Sequence, residues 1–188
     1  MDYWRSIAKM KAVTPNRLKS GLLQVRQELR RLGFLSPAVC KVRVRLTAFG
    51  TAYGYQHYGG SGEIHIPAVS LSRFSTFLGY PYTALRDVIR HEYGHAVADQ
   101  HRGLMRSRKF STAFGAGHDF DKRDEFDPEL HLTSYAAHSP GEDFAETFMI
   151  FVRTGGVLPE RNGSAAIKRR WLFLNDLSHS ITRGRARW

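Results

Sequence analysis

Residues His91-Glu92-Tyr93-Gly94-His95 carry the clearest chemistry in this sequence. On a helix, positions four apart lie one above the other on a single face. The imidazoles of His91 and His95 can therefore grip one zinc ion. Glu92 then lies beside the metal without binding it, placed to take a proton from the attacking water. Together the five residues point to a hydrolytic metalloenzyme, most often a peptidase. A core helix with two satisfied histidines and a stray glutamate is the plainer alternative. It leaves three neighbouring polar groups unexplained in an apolar helix, where unpaired polar groups are costly.

The elements that must position these residues are readable around them. Pro81 stops what precedes, Thr83 suits an N-cap, and a helix is predicted from Ala84 to Gln100, with Gly103 placed to end it. Leu85, Val88, Ile89, Ala96 and Val97 make that helix apolar nearly all round, the pattern of a buried one. A catalytic zinc needs a third protein ligand and an open fourth position. His101 completes a metzincin-type spacing, but Ala98 stands where those proteins have the Gly that turns the chain. On an unbroken helix His101 is rotated by about 240° from His95 and points away.

Glu142 is the stronger third ligand. Ser139 precedes Pro140, a residue suited to the first helical position, so a second helix is predicted to begin there. Glu142 and Glu146 share one face, while Phe144, Phe148 and Phe151 form a separate apolar stripe. Like charges four apart destabilise a helix unless something positive lies beside them. A zinc ion on Glu142, with Glu146 accepting the ring N–H of a ligand histidine, supplies that reason. Ser139 and Glu142 also fit a capping box, in which Glu142 would only bond backbone at the helix start. Asp99, four residues after His95, is a weaker candidate for a supporting role behind the metal ligands.

With these residues in view, the chain resembles the gluzincin metallopeptidases. His91-Glu92-Tyr93-Gly94-His95 followed at a distance by Glu142-Asp143-Phe144-Ala145-Glu146-Thr147-Phe148 is similar to bacterial zinc-binding metallopeptidases and to the catalytic domain of anthrax lethal factor. The latter has a Ser-Tyr pair ahead of its ligand Glu, and here Tyr135 of Ser134-Tyr135 stands seven residues before Glu142. The resemblance implies Tyr135 as a hydroxyl donor to the oxyanion of the tetrahedral intermediate, a role phenol chemistry permits. It spans residues 62–100 and 133–152. The cysteine-rich metal module that such bacterial proteins often carry is not matched, since Cys40 is the single cysteine.

Gly62-Glu63-Ile64-His65-Ile66-Pro67 alternates apolar and polar residues and ends in Pro, as an edge strand would. Zincins of the kind it resembles bind substrate backbone along such an edge, which makes Ile64, His65 and Ile66 candidate substrate-binding residues. The Gly- and Tyr-rich stretch from Phe49 to Gly60 can line a cleft or serve as an ordinary hairpin connection. His57, His65, His118, His131 and His138 are spare histidines, more simply solvated than ligating.

The remainder reads as scaffold. Thr14-Pro15 opens an amphipathic helix with Leu18, Leu22, Val25, Leu29 and Leu32 on one face and Gly33 closing it. Val42, Val44 and Leu46 alternate with Lys41, Arg43 and Arg45 in a half-buried strand, and a last helix runs from Asn162 to Ser178 with Ile167, Trp171, Leu174 and Leu177 inward. Residues 101–138 read as one long loop flanking the cleft. Its acidic run, from Asp119 through Asp121, Asp124, Glu125 and Asp127 to Glu129, lacks EF-hand spacing and fits a solvated loop better than a calcium site. The expectation is one α+β domain over residues 1–188, zincin-like, with a small sheet edge packed on the active-site helix and a second ligand-bearing helix.

Charge divides the chain. Residues 1–50 hold 11 basic and 2 acidic side chains, residues 153–188 hold 8 and 2, and residues 51–152 hold 9 and 13. The Arg-rich ends, including Arg183, Arg185 and Arg187, could lie along nucleic acid or an acidic membrane, or simply form a solvated basic surface. No secretory signal or membrane-spanning run is visible, and one cysteine fits a reducing compartment. Cytoplasmic synthesis, or export without a classical signal, is expected. A protein or peptide substrate and a Zn2+ cofactor complete the expectation. Two alternatives are a nucleic-acid-associated zinc protein or DNA-recruited protease, and a non-catalytic module that keeps the zincin shape.

Overall fold

Helices and strands both contribute to the fold. The computed structural model describes residues 13–50, 54–58, 61–70, 85–121, 124–160 and 163–184. In chain order these contain α1 (Pro15–Arg31), α2 (Pro37–Cys40), β1 (Arg43–Gly50), β2 (Gly54–Tyr58), β3 (Ser61–Ser70), α3 (Leu85–Gln100), α4 (Arg102–Met105), α5 (Arg108–Phe114), a 3-10 turn (Tyr135–His138), α6 (Pro140–Arg153) and α7 (Ala165–Thr182). Pro81, Thr83 and Ala84, and the chain ends at 1–12 and 185–188 with most of the predicted basic tail, lie outside the described residues.

α1 forms as its sequence dictates. The Thr14 hydroxyl accepts from the Arg17 N–H, Pro15 takes the first position, and Gly33 leaves the helix at φ 76°. A side chain there would also strike the Thr182 hydroxyl, at 2.2 Å from an added Cβ. Leu18, Val25 and Leu29 are buried against the core.

The sheet has the order β1-β3-β2, with β3 parallel to β1 and antiparallel to β2. Ile64 and Ile66 point into the core and are fully buried, while Arg43 and Arg45 reach Glu63 at 3.5 and 2.9 Å on the other face. β3 is therefore not an edge. It pairs with β1 and, as far as His65, with β2, so Ile64 and His65 cannot accept a substrate backbone as the sequence suggested, and the Ile66 side chain is buried in the core. Pro67 misled because it lies past the end of the β2 pairing at His65, where β1 is the one neighbour among the described residues. Among the described residues the strand that pairs on one side only, and lies near the histidines, is β2. It comes from the Phe49 to Gly60 stretch that the sequence left open.

α3 runs through the middle of the structure, with eleven of its sixteen residues buried. Arg90 anchors it to α1 through paired hydrogen bonds of 2.8 Å to both Glu28 oxygens, and to Asp87 at 2.5 Å. α6 crosses it at Gly94. An added Cβ there would sit 3.0 Å from the Ala145 Cα and 3.3 Å from the Phe148 ring, so glycine lets the two helices approach this closely without displacing a neighbour. α6 begins at Pro140 as predicted. Its far face is fixed to α7 by the buried Asp143–Arg170 pair, at 2.7 and 2.6 Å.

Phe144, Phe148 and Phe151 pack inward as expected, with Phe34 edge-on to Phe148 at 4.8 Å and Trp171 4.9 Å from Phe151. Residues 101–138 differ from expectation, since they are not a plain long loop. They contain α4, α5 and the 3-10 turn, and Gly103 lies inside α4 instead of ending α3. Ser107 caps α5 through the Phe110 N–H, Gly115 leaves it at φ 85°, and Phe110 and Phe114 stack at 4.6 Å under Phe144 and Phe173. The last helix is α7, capped by Ser164 and longer than predicted, with Ile167, Trp171, Leu174 and Leu177 buried. No helix among the described residues is long and apolar enough to cross a membrane.

Candidate metal centre

The close α3–α6 crossing brings three potential ligands to one point. His91 Nε2 and His95 Nε2 lie 3.1 Å apart, and Glu142 Oε2 lies 3.2 Å from the first and 3.5 Å from the second. The two imidazoles come from successive turns of α3 and Glu142 from the first turn of α6. Ser139 does cap α6, its hydroxyl accepting from the Glu142 N–H at 3.1 Å, but the Glu142 carboxylate turns towards the histidines. Oε2 is buried and makes no well-directed hydrogen bond, so its approaches to the rings are ion-pair contacts. His91, His95 and Glu142 could hold a metal ion, and no other group of this kind occurs among the described residues.

The groups behind the triangle fix its orientation. Glu146, fully buried, accepts from His91 Nδ1 at 2.7 Å on one oxygen and from the Thr133 hydroxyl at 2.7 Å on the other. This leaves His91 Nε2 as the ring atom facing the centre. Burial alone would lower the His91 pKa, but Glu142 and Glu146 together lift it to about 10. Burial likewise opposes ionisation of Glu142, yet His91 and His95 hold its carboxyl well below the usual range. Both shifts run the same way, favouring a protonated His91 imidazole beside an ionised Glu142 carboxylate.

Glu92 and Tyr135 stand at the same cleft, of about 580 Å³. Burial pushes the Glu92 carboxyl above the ordinary carboxylate range, against the pull of His91, His95 and the Tyr55 backbone N–H that it accepts. Tyr135 sits in the 3-10 turn with its ring 5.8 Å from that of His91, and its hydroxyl bonds to the Glu142 carboxylate. Burial and the surrounding carboxylates raise its pKa, so the phenol stays a donor.

Other candidates fall elsewhere. Asp99 does not back the metal ligands. Its carboxylate accepts from the Tyr55 hydroxyl at 2.8 Å, from His57 Nδ1 at 2.6 Å and from Arg102, joining β2 to α3. His101 is buried just after α3, outside the metal group. Ile64 and Ile66 lie in the core. The acidic run makes local contacts, as with Asp119 to Arg106 and Asp127 to the Glu129 N–H.

Two residues the sequence left aside line the cleft, His57 and His118. His118 pairs with Asp119 at 3.1 Å and packs over Gly141, where an added Cβ would lie 3.1 Å from its carbonyl oxygen. No spacing in the sequence marks either, because both reach the cleft through tertiary packing.

No protein-family model, curated protein or solved structure matches the chain. The centre's own geometry is therefore the ground for any functional reading. Its components are two imidazoles, one carboxylate, a second carboxylate beside them and a phenol, all opening on one cleft.

Proposed function

We propose that this chain is a zinc-dependent peptidase with a zincin-like arrangement of the gluzincin type. The observation that carries the proposal is the ligand triangle. Zinc bound tetrahedrally at about 2.0–2.1 Å needs ligand atoms about 3.3 Å apart. His91 Nε2, His95 Nε2 and Glu142 Oε2 are separated by 3.1, 3.2 and 3.5 Å. Two imidazole nitrogens and a carboxylate oxygen are a donor set that would suit zinc, and the three residues line the cleft. When bound, such an ion supplies Lewis acidity and a water of lowered pKa.

The chain's own residues provide the remaining chemistry. Glu92, its carboxyl raised above the ordinary range by burial, takes the proton of the attacking water on a carboxylate oxygen and passes it to the departing amine. Tyr135, held protonated, donates its hydroxyl hydrogen to the developing oxyanion. Glu146 and Thr133 keep the His91 ring in one orientation. The substrate backbone lies along β2, which among the described residues pairs on one side only and borders the cleft.

Metal analysis of the purified protein with a peptide-library cleavage assay tests this. The expected result is one zinc per chain and cleavage that a chelator stops. Glu92→Gln should keep the zinc and lose about 10²- to 10⁴-fold in turnover. Protein without zinc, or cleavage undiminished in that variant, would contradict the proposal.

A further inference from the structure

Asp99 is a buried carboxylate that the reaction outlined above does not use, and it collects three donors at once. The Tyr55 hydroxyl reaches it at 2.8 Å and His57 Nδ1 at 2.6 Å, and Arg102 bonds its other oxygen. The side chain of Asp99 is 8% exposed, although those of His57 and Arg102 are 38% and 57% exposed. Tyr55 and His57 are alternate residues of β2 and so point to one face, the face that meets α3. The same Tyr55 gives its backbone N–H to the Glu92 carboxylate. A single residue of β2 is thus tied twice to α3, through its hydroxyl to Asp99 and through its backbone to Glu92.

These two ties have different consequences. Glu92 and Asp99 lie seven residues apart, about two turns, on a rigid helix. Fixing Tyr55 at Asp99 therefore fixes where its N–H stands relative to Glu92. β2 has strand partners on one side only among the described residues, and its connections to β1 and β3 are short. The Gln100 side chain at the end of α3 also meets the Tyr55 hydroxyl, but Asp99 is the residue of that helix that holds Tyr55 and His57 together.

We propose that Asp99 is a positioning residue. By clamping Tyr55 and His57 of β2 to α3, it holds the Tyr55 N–H on Glu92 and sets the distance between the strand edge and the His91–His95–Glu142 triangle. The inference rests on the peptidase reading for its catalytic meaning, while the clamp itself is visible without turnover. Asp99 touches no proposed metal ligand, so its loss leaves zinc in place and misplaces the base.

The test uses the zinc-loaded full chain and two variants, Asp99→Asn and Tyr55→Phe, singly and together. Tyr55→Phe removes one hydroxyl, and it keeps the test decisive should Asp99→Asn fail to fold. Each single variant should bind zinc as wild type does, yet lose about tenfold in kcat, in the range that supporting residues of metal sites contribute. The double variant should lose no more than the worse single one, because both break the same link. Amide hydrogen exchange over residues 54–58 should accelerate in each variant and stay unchanged over residues 140–153. A purely structural role would instead lower the melting temperature and zinc affinity, with kcat of the folded fraction intact. Wild type that cleaves no peptide would sink the peptidase reading. Wild type that cleaves, with variants matching it in kcat and in exchange over 54–58, would overturn the positioning role alone.

Discussion

His91 faces two carboxylates at once, and at the residue scale that decides how the centre responds to pH. With Glu146 on Nδ1 and Glu142 at Nε2, the protonated ring is favoured, its pKa lifted from 6.5 to about 10. A group protonated more readily when folded contributes stability that is complete below its unfolded pKa and disappears as pH rises through the folded one. Metal-free protein should therefore lose stability between pH about 6.5 and about 10, as thermal melts in chelator across that range would record. Glu142, depressed when folded, acts in the opposite window. Its contribution is lost as pH falls below the ordinary carboxylate range. Under the proposed zinc binding the ion would compete with the proton on Nε2, so binding at neutral pH should release about one proton per ion, measurable by calorimetry in buffers of different ionisation enthalpy. A flat melt profile with no proton release would mean that His91 is neutral before metal arrives.

At the element scale, the centre depends on how closely α3 and α6 cross. Gly94 sits between the two histidines and meets Ala145, three residues after Glu142. Gly94→Ala gains up to about 1 kcal/mol of helix propensity, but its methyl meets a backbone carbon at 3.0 Å, and overpacking of that kind costs about 1–3 kcal/mol. The added methyl should push α6 away and widen the triangle. Zinc affinity should fall by about tenfold or more while the helical circular dichroism is kept, and unchanged affinity would show that the crossing has slack. The sequence contained much of this level. Thr14-Pro15, Ser139-Pro140 and the aromatic stripe of α6 lie where their local signals put them, because caps and 3.6-residue periodicity are properties of neighbours in sequence. The errors came where a decision is made in three dimensions. The alternation in Glu63 to Pro67 marks a strand, but only pairing partners decide whether it is central or at an edge. Ser107 and Gly115 bracketed α5 visibly, yet a seven-residue helix resting on Phe110 and Phe114 is stabilised by packing on α7 more than by its own periodicity.

At the scale of the whole molecule, five separated stretches of sequence converge on one cleft, one of them carrying His118. α3 supplies His91, Glu92 and His95, α6 supplies Glu142 and Glu146, the 3-10 turn supplies Tyr135, and β2 supplies Tyr55 and His57. The first two were legible because their residue types and spacing have a chemical reason to recur. The contributions of β2 and of His118 were not, since their place at the cleft is set by the sheet order and by the packing of the chain over Gly141. The basic ends sit apart from this centre in sequence, and the acidic middle of the chain holds every residue assigned a role in it. The account stands on the joint hold of His91, His95 and Glu142 on one ion. Zinc titration of wild type beside Glu142→Ala and His101→Ala tests that hold most directly. One tight site should appear in wild type and in His101→Ala, and Glu142→Ala should bind far more weakly. Equal binding by wild type and Glu142→Ala, or loss of the site in His101→Ala, would contradict it.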